Sequence, residues 1–411
     1  MKKIFYIIGI VILAVPAALY TYEFFKKDII ALINKDIEEA PSDAGTLTIA
    51  NCVVPSPTST LVVNVKTRGA VGDGFKDDTA AIQAAIDQVA GTGGTVLVPA
   101  GIYMINAVTS LHLGNKMTFK MDNATLQAIT NNVGNYSILD ITGVSNVNVV
   151  GGTLKGDRVS HKDTTGEWGM GIQVMSSSNV VINGVTSNNA WGDGFYIGSS
   201  TDIGSGSSNI TLCSVVANNN RRQGLSIVAA NGVIVSNSIF TNTNGALPMC
   251  GIDVETNAST TVSNVQILSS IIQLNQGCGI EVGSSFSTPG SNMISKVLIK
   301  NNIVSYNSKV GGTGAGIMID TNTSGHQIIN NLVTQNFQDG IDLMWGVTNT
   351  LVSGNISSYN GTTLNTANGI GLLTYDKSTT NTITGNIAIG NTKANLLDLA
   401  GGNTLTANII K

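Results

Sequence analysis

The stretch "NNNRRQGLSIVAANGVIVSNS", Asn218 to Ser238, carries two short apolar runs of a repeating architecture. A Gly-Leu pair at Gly224-Leu225 opens a short apolar run, and "GVIVSNS" makes a second one that ends on Asn and Ser. The same unit returns along the chain. A Gly followed by an apolar residue stands at Gly171-Ile172, Gly194-Phe195, Gly224-Leu225, Gly251-Ile252, Gly279-Ile280, Gly316-Ile317, Gly340-Ile341 and Gly369-Ile370. Between these pairs lies a second short strand: "NVVING", "NITLCS", "NVQILSS", "KVLIKNN". Short strands on a loose period of a few tens of residues, with no helical segment between them, mark a solenoid. They predict an all-β fold, a parallel β-helix. Asn after so many strands fits tight corners, because Asn tolerates the left-handed backbone, and Asn side chains stack well from rung to rung.

Composition agrees. Asp, Glu, Lys and Arg make up 11% of the 411 residues, far below the roughly 25% of an ordinary globular protein. Hydrophobic residues are 42% but aromatics only 5%, so the expected core is aliphatic and thin. Net charge is −4 and no basic stripe exists, which excludes nucleic acid as the expected partner. Cys52, Cys213, Cys250 and Cys278 show no CxxC spacing, so no structural zinc site is expected. Cys250 and Cys278 each precede a Gly-Ile pair and should stack. They are read as a ladder of buried thiols in preference to a disulfide, since stacked side chains point the same way and disulfide geometry is demanding.

The first residues look like a targeting element. Lys2 and Lys3 precede an uncharged apolar run, Ile4 to Tyr22, just long enough to span a bilayer. An uncleaved signal anchor is favoured over a cleaved signal peptide, although "VPAA" (Val15 to Ala18) resembles a cleavage site. The expected organisation is a membrane helix with a juxtamembrane helix over 1–40, a linker over 41–60, and the β-helix over 61–411. The chain would then be extracytoplasmic, either membrane-anchored or secreted.

A solenoid needs a cap. "KDDTAAIQAAIDQVAGTGGTVLVPAG" supplies one at the N-terminal end. Asp78 or Thr79 can cap a helix running to about Ala90, with Ile82, Ile86 and Val89 on one face. No comparable cap follows "NTLTANIIK", and cover by a partner subunit, as in a homotrimer, stays open. "VKTRGAVGDGFKDDTAAIQAAIDQVAGTGGTVLVPAGIY" (Val65 to Tyr103) resembles the opening segment of the pectate-lyase-like superfamily of right-handed parallel β-helix proteins, which usually reads "DFGAKGDGxxDDTxAIQxAI…GGxVxxPxGxY". Arg68 stands where that pattern has an aromatic. The resemblance implies the fold. It does not select among polysaccharide lyases, glycoside hydrolases, uronan epimerases and phage tailspikes, all of which share it.

Charge gathers on one face. If the residue after each Gly points inward, the next points outward, giving the column Gln173, Tyr196, Ser226, Asp253, Glu281, Met318, Asp342 and Gly371. A second column reads Met175, Gly198, Val228, Glu255, Gly283, Asp320, Met344 and Leu373. Asp253 and Glu255 should lie about 6–7 Å apart on one strand, and Asp253 and Glu281 about one rung apart. Like charges that close raise one pKa, as a general acid requires. Arg221, Arg222 and Gln223 come one rung earlier and Asp193 a rung before that. The excursion "KGDRVSHKDTTGEWGMGI" brings His161, Glu167 and Trp168, and Trp191 precedes the next rung.

Asp193, Asp253, Glu255, Arg222 and His161 are the catalytic candidates. Trp168, Trp191, Arg221, Gln223, Glu167, Tyr196 and Glu281 are the substrate-binding ones. A stabilising ion network, or tryptophans that only shield a loop, are the plainer alternatives. Asp320, Asp339 and Asp342 are read as a solvated face, and His112 and His326 as isolated.

"WGDGFYIG" and "RRQGLSIV" are similar to the polygalacturonase motifs "NTDG" and "GHG(I/L)SI". However, Trp191-Gly192 replaces Asn-Thr, Gln223 replaces the His, and the Asp-Asp pair is missing. "GEWGMGI", "WGDGFYIG", "RRQGLSI" and "GIDVE" together resemble a signature of bacterial and phage β-helix proteins without an assigned chemistry.

The leading expectation is hydrolysis of an acidic or otherwise decorated polysaccharide, with no cofactor, Asp253 and Glu255 acting with Asp193 or Glu281. Arg221 and Arg222 would grip a carboxylate or sulfate on the sugar. The rivals are a uronan lyase or C5-epimerase, with Arg222 or His161 as base and Ca²⁺ as a cofactor, and a non-catalytic glycan-binding or tailspike-like module.

Overall fold

The computed structural model describes residues 52–291, 293–309, 314–361 and 369–411. The expected membrane helix and juxtamembrane segment, and the first half of the expected linker, lie outside the described residues. Among the described residues no helix is long and apolar enough to cross a membrane.

The described residues of Ile49–Lys411 belong to one compact unit, and among them run three parallel sheets of 13, 13 and 11 strands. Each rung but the first and the last gives one strand to each sheet. Leu225–Ile227 lies in the third sheet, Ala230–Ser236 in the first and Ile239–Thr241 in the second, and Ile252–Val254 then returns to the third. The core between the sheets is aliphatic, with Leu225, Ile227, Val233, Val235, Ile252, Val254, Ile280 and Val282 all fully buried.

The repeated Gly has a steric cause. A Cβ on Gly251 would meet Ile272 and the carbonyl of Gly279, and one on Gly279 would meet Val304 and the carbonyl of Gly316. Successive backbones approach too closely at this bend for a side chain. The Asn pairs divide their work. In Asn301-Asn302 and Asn330-Asn331 the first residue takes the left-handed backbone, with φ of 59° and 55°. The second turns inward and joins a buried amide ladder, Asn302 to Asn331 to Asn355 to Asn386 to Asn408, with side-chain bonds of 2.9–3.0 Å.

The capping helix runs Thr79–Val89 and buries Ile82, Ala85, Ile86 and Val89. Asp78 occupies the cap position but makes no side-chain cap bond. Its carboxylate instead accepts from the backbone N–H groups of Val71 and Gly72 at 2.8 and 2.9 Å, holding the opening loop against the helix.

Three expectations are corrected. Cys250 and Cys278 stack as expected, but they are bonded as a disulfide, with Cα atoms 4.6 Å apart. Cys52 is likewise joined to Cys213. Rung neighbours at this bend stand close enough for the link, which the argument from parallel side chains overlooked. Second, the last repeat is displaced by two residues. Ile341 pairs with Leu372 and Asp342 with Leu373, so Gly371-Leu372, not Gly369-Ile370, continues the motif. Third, Asp339 and Asp342 are 2% and 3% exposed and are no solvated face: Asp339 accepts from the backbone of Gly369 and Ile370, both at 2.6 Å.

Candidate functional site

The third sheet carries one in-register outward column. His112 pairs with Asp140, Asp140 with Gln173, Gln173 with Tyr196, Tyr196 with Ser226, Ser226 with Asp253, and Asp253 with Glu281. Met318 and Asp342 follow. Period-two alternation forces this: the apolar residue after each Gly fills the core, so its successor faces out. His112, read as isolated, heads the column and holds Asp140 at 2.7 Å. His326 is buried elsewhere, accepts weakly from Val297 N at 3.4 Å, and is pushed down to about 4 by burial.

Below this polar head the charges interlock. Arg222 reaches Asp193 at 3.2 Å and Glu255 at 3.3 Å. Ser226 Oγ donates to Asp193 Oδ2 at 2.7 Å. Gln223 Nε2 donates to Asp253 Oδ2 at 2.6 Å, while its Oε1 accepts from Cys250 N at 2.7 Å. Asp193, Gln223, Ser226 and Asp253 are buried, whereas the Glu255 side chain is 36% exposed. Glu281 and Tyr196 are half-buried.

Burial dominates the electrostatics. It lifts Asp193 to about 6 against the pull of Arg222 and Ser226. Burial, then the charges of Glu281 and Glu255, raises Asp253 well above the carboxylate range. Glu281 is pushed up to about 7 by burial, Asp320 and Glu255. Tyr196 is pushed up to about 12 by burial and Asp193. Burial opposes the charge on Arg222, but Asp193 and Glu255 outweigh it and hold the guanidinium charged.

The two arginines part company, as neighbours on an extended chain do. Arg221 stands 3.9 Å over the Trp191 ring and donates to the Gly166 carbonyl at 2.8 Å. It anchors the excursion and is not among the groups around the carboxylates. Trp191 is 7% exposed, stacked on its other partner, His161, at 4.0 Å. The His161 side chain has no exposure and bonds Asp157 at 2.9 Å, and Tyr136 bonds the same carboxylate. His161 and Trp191 therefore build the support under the excursion. Trp168 is 49% exposed, and the half-buried Glu167 acts on Arg222 from the excursion side. The sequence reading put Gln173 and Ser226 in the site's column but gave them no role, and it missed His112 and Asp140 as polar members of that column. Register alone could have found them.

The described residues bring Cys250, Cys278 and Glu281 within 4.8 Å of one another. With the sulfurs bonded to each other there is no thiolate for a metal ion, so this cluster is not a metal site as it stands.

Comparison with known proteins agrees with the fold. The family description "Rhamnogalacturonase A/epimerase, pectate lyase-like" matches residues 62–288, and "Right handed beta helix region" matches residues 248–410. The protein YclG of Bacillus subtilis is 28% identical over 367 residues, covering 77% of this chain and 61% of that protein. This chain thus spans about three fifths of the length of that relative. The A-module of mannuronan C-5 epimerase AlgE4 from Azotobacter vinelandii superposes with a TM-score of 0.68 at 22% identity, over 85% of this chain and 95% of the module. With the whole AlgE4 protein, 45 residues are 60% identical, 11% of this chain and 8% of that one. The Dettilon tailspike protein superposes with a TM-score of 0.61 at 18% identity, over 84% and 68% of the two chains. The likenesses in structure establish a fold found in polysaccharide-active proteins. The match over residues 62–288 establishes more: this chain belongs to the rhamnogalacturonase A/epimerase, pectate lyase-like family of right-handed β-helix proteins.

Proposed function

We propose that the protein hydrolyses glycosidic bonds of a polysaccharide laid along the outward column of the third sheet, with Glu281 as general acid and Glu255 as general base. One observation carries this reading. Glu281 is held towards its protonated form by burial and by Asp320 and Glu255, while Glu255, one rung away, is ion-paired with Arg222 and reaches solvent. A carboxyl held protonated beside a carboxylate that reaches solvent suits the roles of acid and base. Glu255 lies opposite Gly283 in register and Glu281 two residues before it, so their backbones are about 8 Å apart. Backbones that far apart leave room for carboxyls to stand on either side of a water, as an inverting reaction requires.

The substrate class shifts from the one expected. An acidic glycan would need a free cation, and Arg222 already carries Asp193 and Glu255. Arg221 is engaged at Trp191 and Gly166. With four carboxyl groups around one guanidinium, a neutral glycan fits better than a uronan. The same facts, with His161 fully buried on Asp157, weigh against the lyase or C5-epimerase reading, whose base was to be Arg222 or His161. What favours it is the local 60% identity to AlgE4; in that case the carboxylates would bind the sugar or Ca²⁺.

The test is incubation with neutral and acidic polysaccharides, reading reducing ends and ultraviolet absorbance together. Hydrolysis predicts reducing ends without absorbance, falling about 10²–10⁴-fold in Glu281→Gln and Glu255→Gln. Absorbance from a new double bond would move the assignment to a lyase. Saturable binding without either signal would move it to a C5-epimerase if proton NMR shows inverted C5 centres in the recovered glycan, and to a glycan-binding module if it does not.

A further inference from the structure

Glu281 has unusual neighbours. Its Oε2 lies 3.5 Å from Cys250 Sγ and 3.4 Å from Cys278 Sγ, and the two cysteines are 1% and 4% exposed. The contact follows from register. Cys250 and Cys278 each stand just before the bend glycine, and Glu281 follows Gly279-Ile280, so its side chain folds back over the sulfurs of its own rung and the one before. The other titratable or charged groups around it are Asp253 on the preceding rung, Glu255 beyond it, Asp320 on the following rung, and Arg222, which answers Glu255 and Asp193. Met318, next in the column, offers no donor.

We infer that the Cys250–Cys278 pair is a redox-sensitive positioning element for Glu281: the disulfide leaves the carboxyl facing two sulfurs with no hydrogen to give, and reduction supplies two donors. A disulfide sulfur carries no proton, whereas a thiol is a weak S–H donor. Donors to a carboxylate favour its ionised form. Reduction takes two electrons and two protons from an external dithiol, which becomes a disulfide, and turns the Cys250–Cys278 bond into two thiols. Oxidised, the pair keeps the proton on Glu281; reduced, it draws that proton off. As control of catalysis this rests on the hydrolytic reading, in which Glu281 is the acid, but the effect on the carboxyl itself does not.

Infrared difference spectroscopy of the purified protein at pH 6, with the protonated-carboxyl band assigned by Glu281→Gln, reads the effect without any glycan. Four forms are compared: oxidised, reduced with dithiothreitol, Cys250→Ser/Cys278→Ser, whose hydroxyls donate, and Cys250→Ala/Cys278→Ala, which offers no donor. Circular dichroism checks that each is folded. The inference predicts that the ratio of protonated to ionised Glu281 falls at least tenfold in the reduced and Ser forms and stays near the oxidised value in the Ala form. Equal ratios in all four forms would overturn it, and so would an Ala form that behaves like the Ser form, since the cross-link and not the missing donors would then hold the proton. A protein that cleaves no tested glycan yet shows the predicted ratios would sink the hydrolytic reading alone.

Discussion

Gln223 and Asp253 stand on adjacent rungs and are joined by a 2.6 Å hydrogen bond from Nε2 to Oδ2, while the other end of the amide accepts from Cys250 N at 2.7 Å. One buried side chain thus ties an acidic group to the backbone of the strand that carries it. Replacing the amide leaves a buried N–H and a buried carboxyl oxygen unpaired. Gln223→Leu should therefore cost about 1–3 kcal/mol of stability, read by urea unfolding. It should also lower turnover, because Asp253 loses its orientation beside Glu281.

Arg222 bridges Asp193 and Glu255, and Asp193 has no exposed surface. Arg222→Ala strips the cation from a buried carboxylate, so at neutral pH a loss of about 3 kcal/mol or more is expected. Adding Asp193→Asn should recover much of it. If the double variant is no more stable than Arg222→Ala, Asp193 does not carry the charge that the pairing requires.

Stability should fall as pH rises from about 4 to about 7. Asp193 moves from an unfolded value of 3.8 to about 6 and Glu281 from 4.5 to about 7. In that window the native state binds more protons than the unfolded chain, so the slope of unfolding free energy with pH is negative. The contribution is complete below the unfolded values and is lost as pH passes the folded ones. Urea midpoints at pH 4 and pH 7 test this, and Glu281→Gln should flatten the difference.

The repeat, the capping helix and the outward columns were legible because each follows from local rules. Gly before an apolar residue, Asn at corners and period-two alternation are written in consecutive residues. Asp253, Glu255 and Glu281 line up as their columns predict, and Asp193 and Arg222 join them from the rungs before. What escaped depended on direction or on distant partners. Arg221 and Arg222 are chemically the same in sequence, and only the path of the chain sends one to Trp191 and the other to Asp193. Trp191 reads as a sugar platform until His161 and Arg221 are found on its two faces. The burial of Asp342 depends on what stacks around it, and the two-residue displacement of the last repeat on a choice between two nearby glycines.

The amide ladder should contribute to stability through its buried hydrogen bonds. Asn331 donates to the Ile299 carbonyl and to Asn355, both at 2.9 Å, and accepts from Asn302 N at 2.9 Å. Asn331→Ala orphans several buried groups at once and should cost about 3 kcal/mol or more, visible as a fall in Tm. A loss below that of an exposed Asn→Ala control would show that the ladder adds nothing.

The central claim is that Glu281 protonates a glycosidic oxygen while Glu255 activates water. The most direct measurement is the pH profile of reducing-end release from a neutral polysaccharide that the protein cleaves, for the wild type and Glu281→Gln. The expected result is an alkaline limb near pH 7 in the wild type, no rise in ultraviolet absorbance, and loss of activity in the variant. A variant with full activity and an unchanged alkaline limb would contradict it.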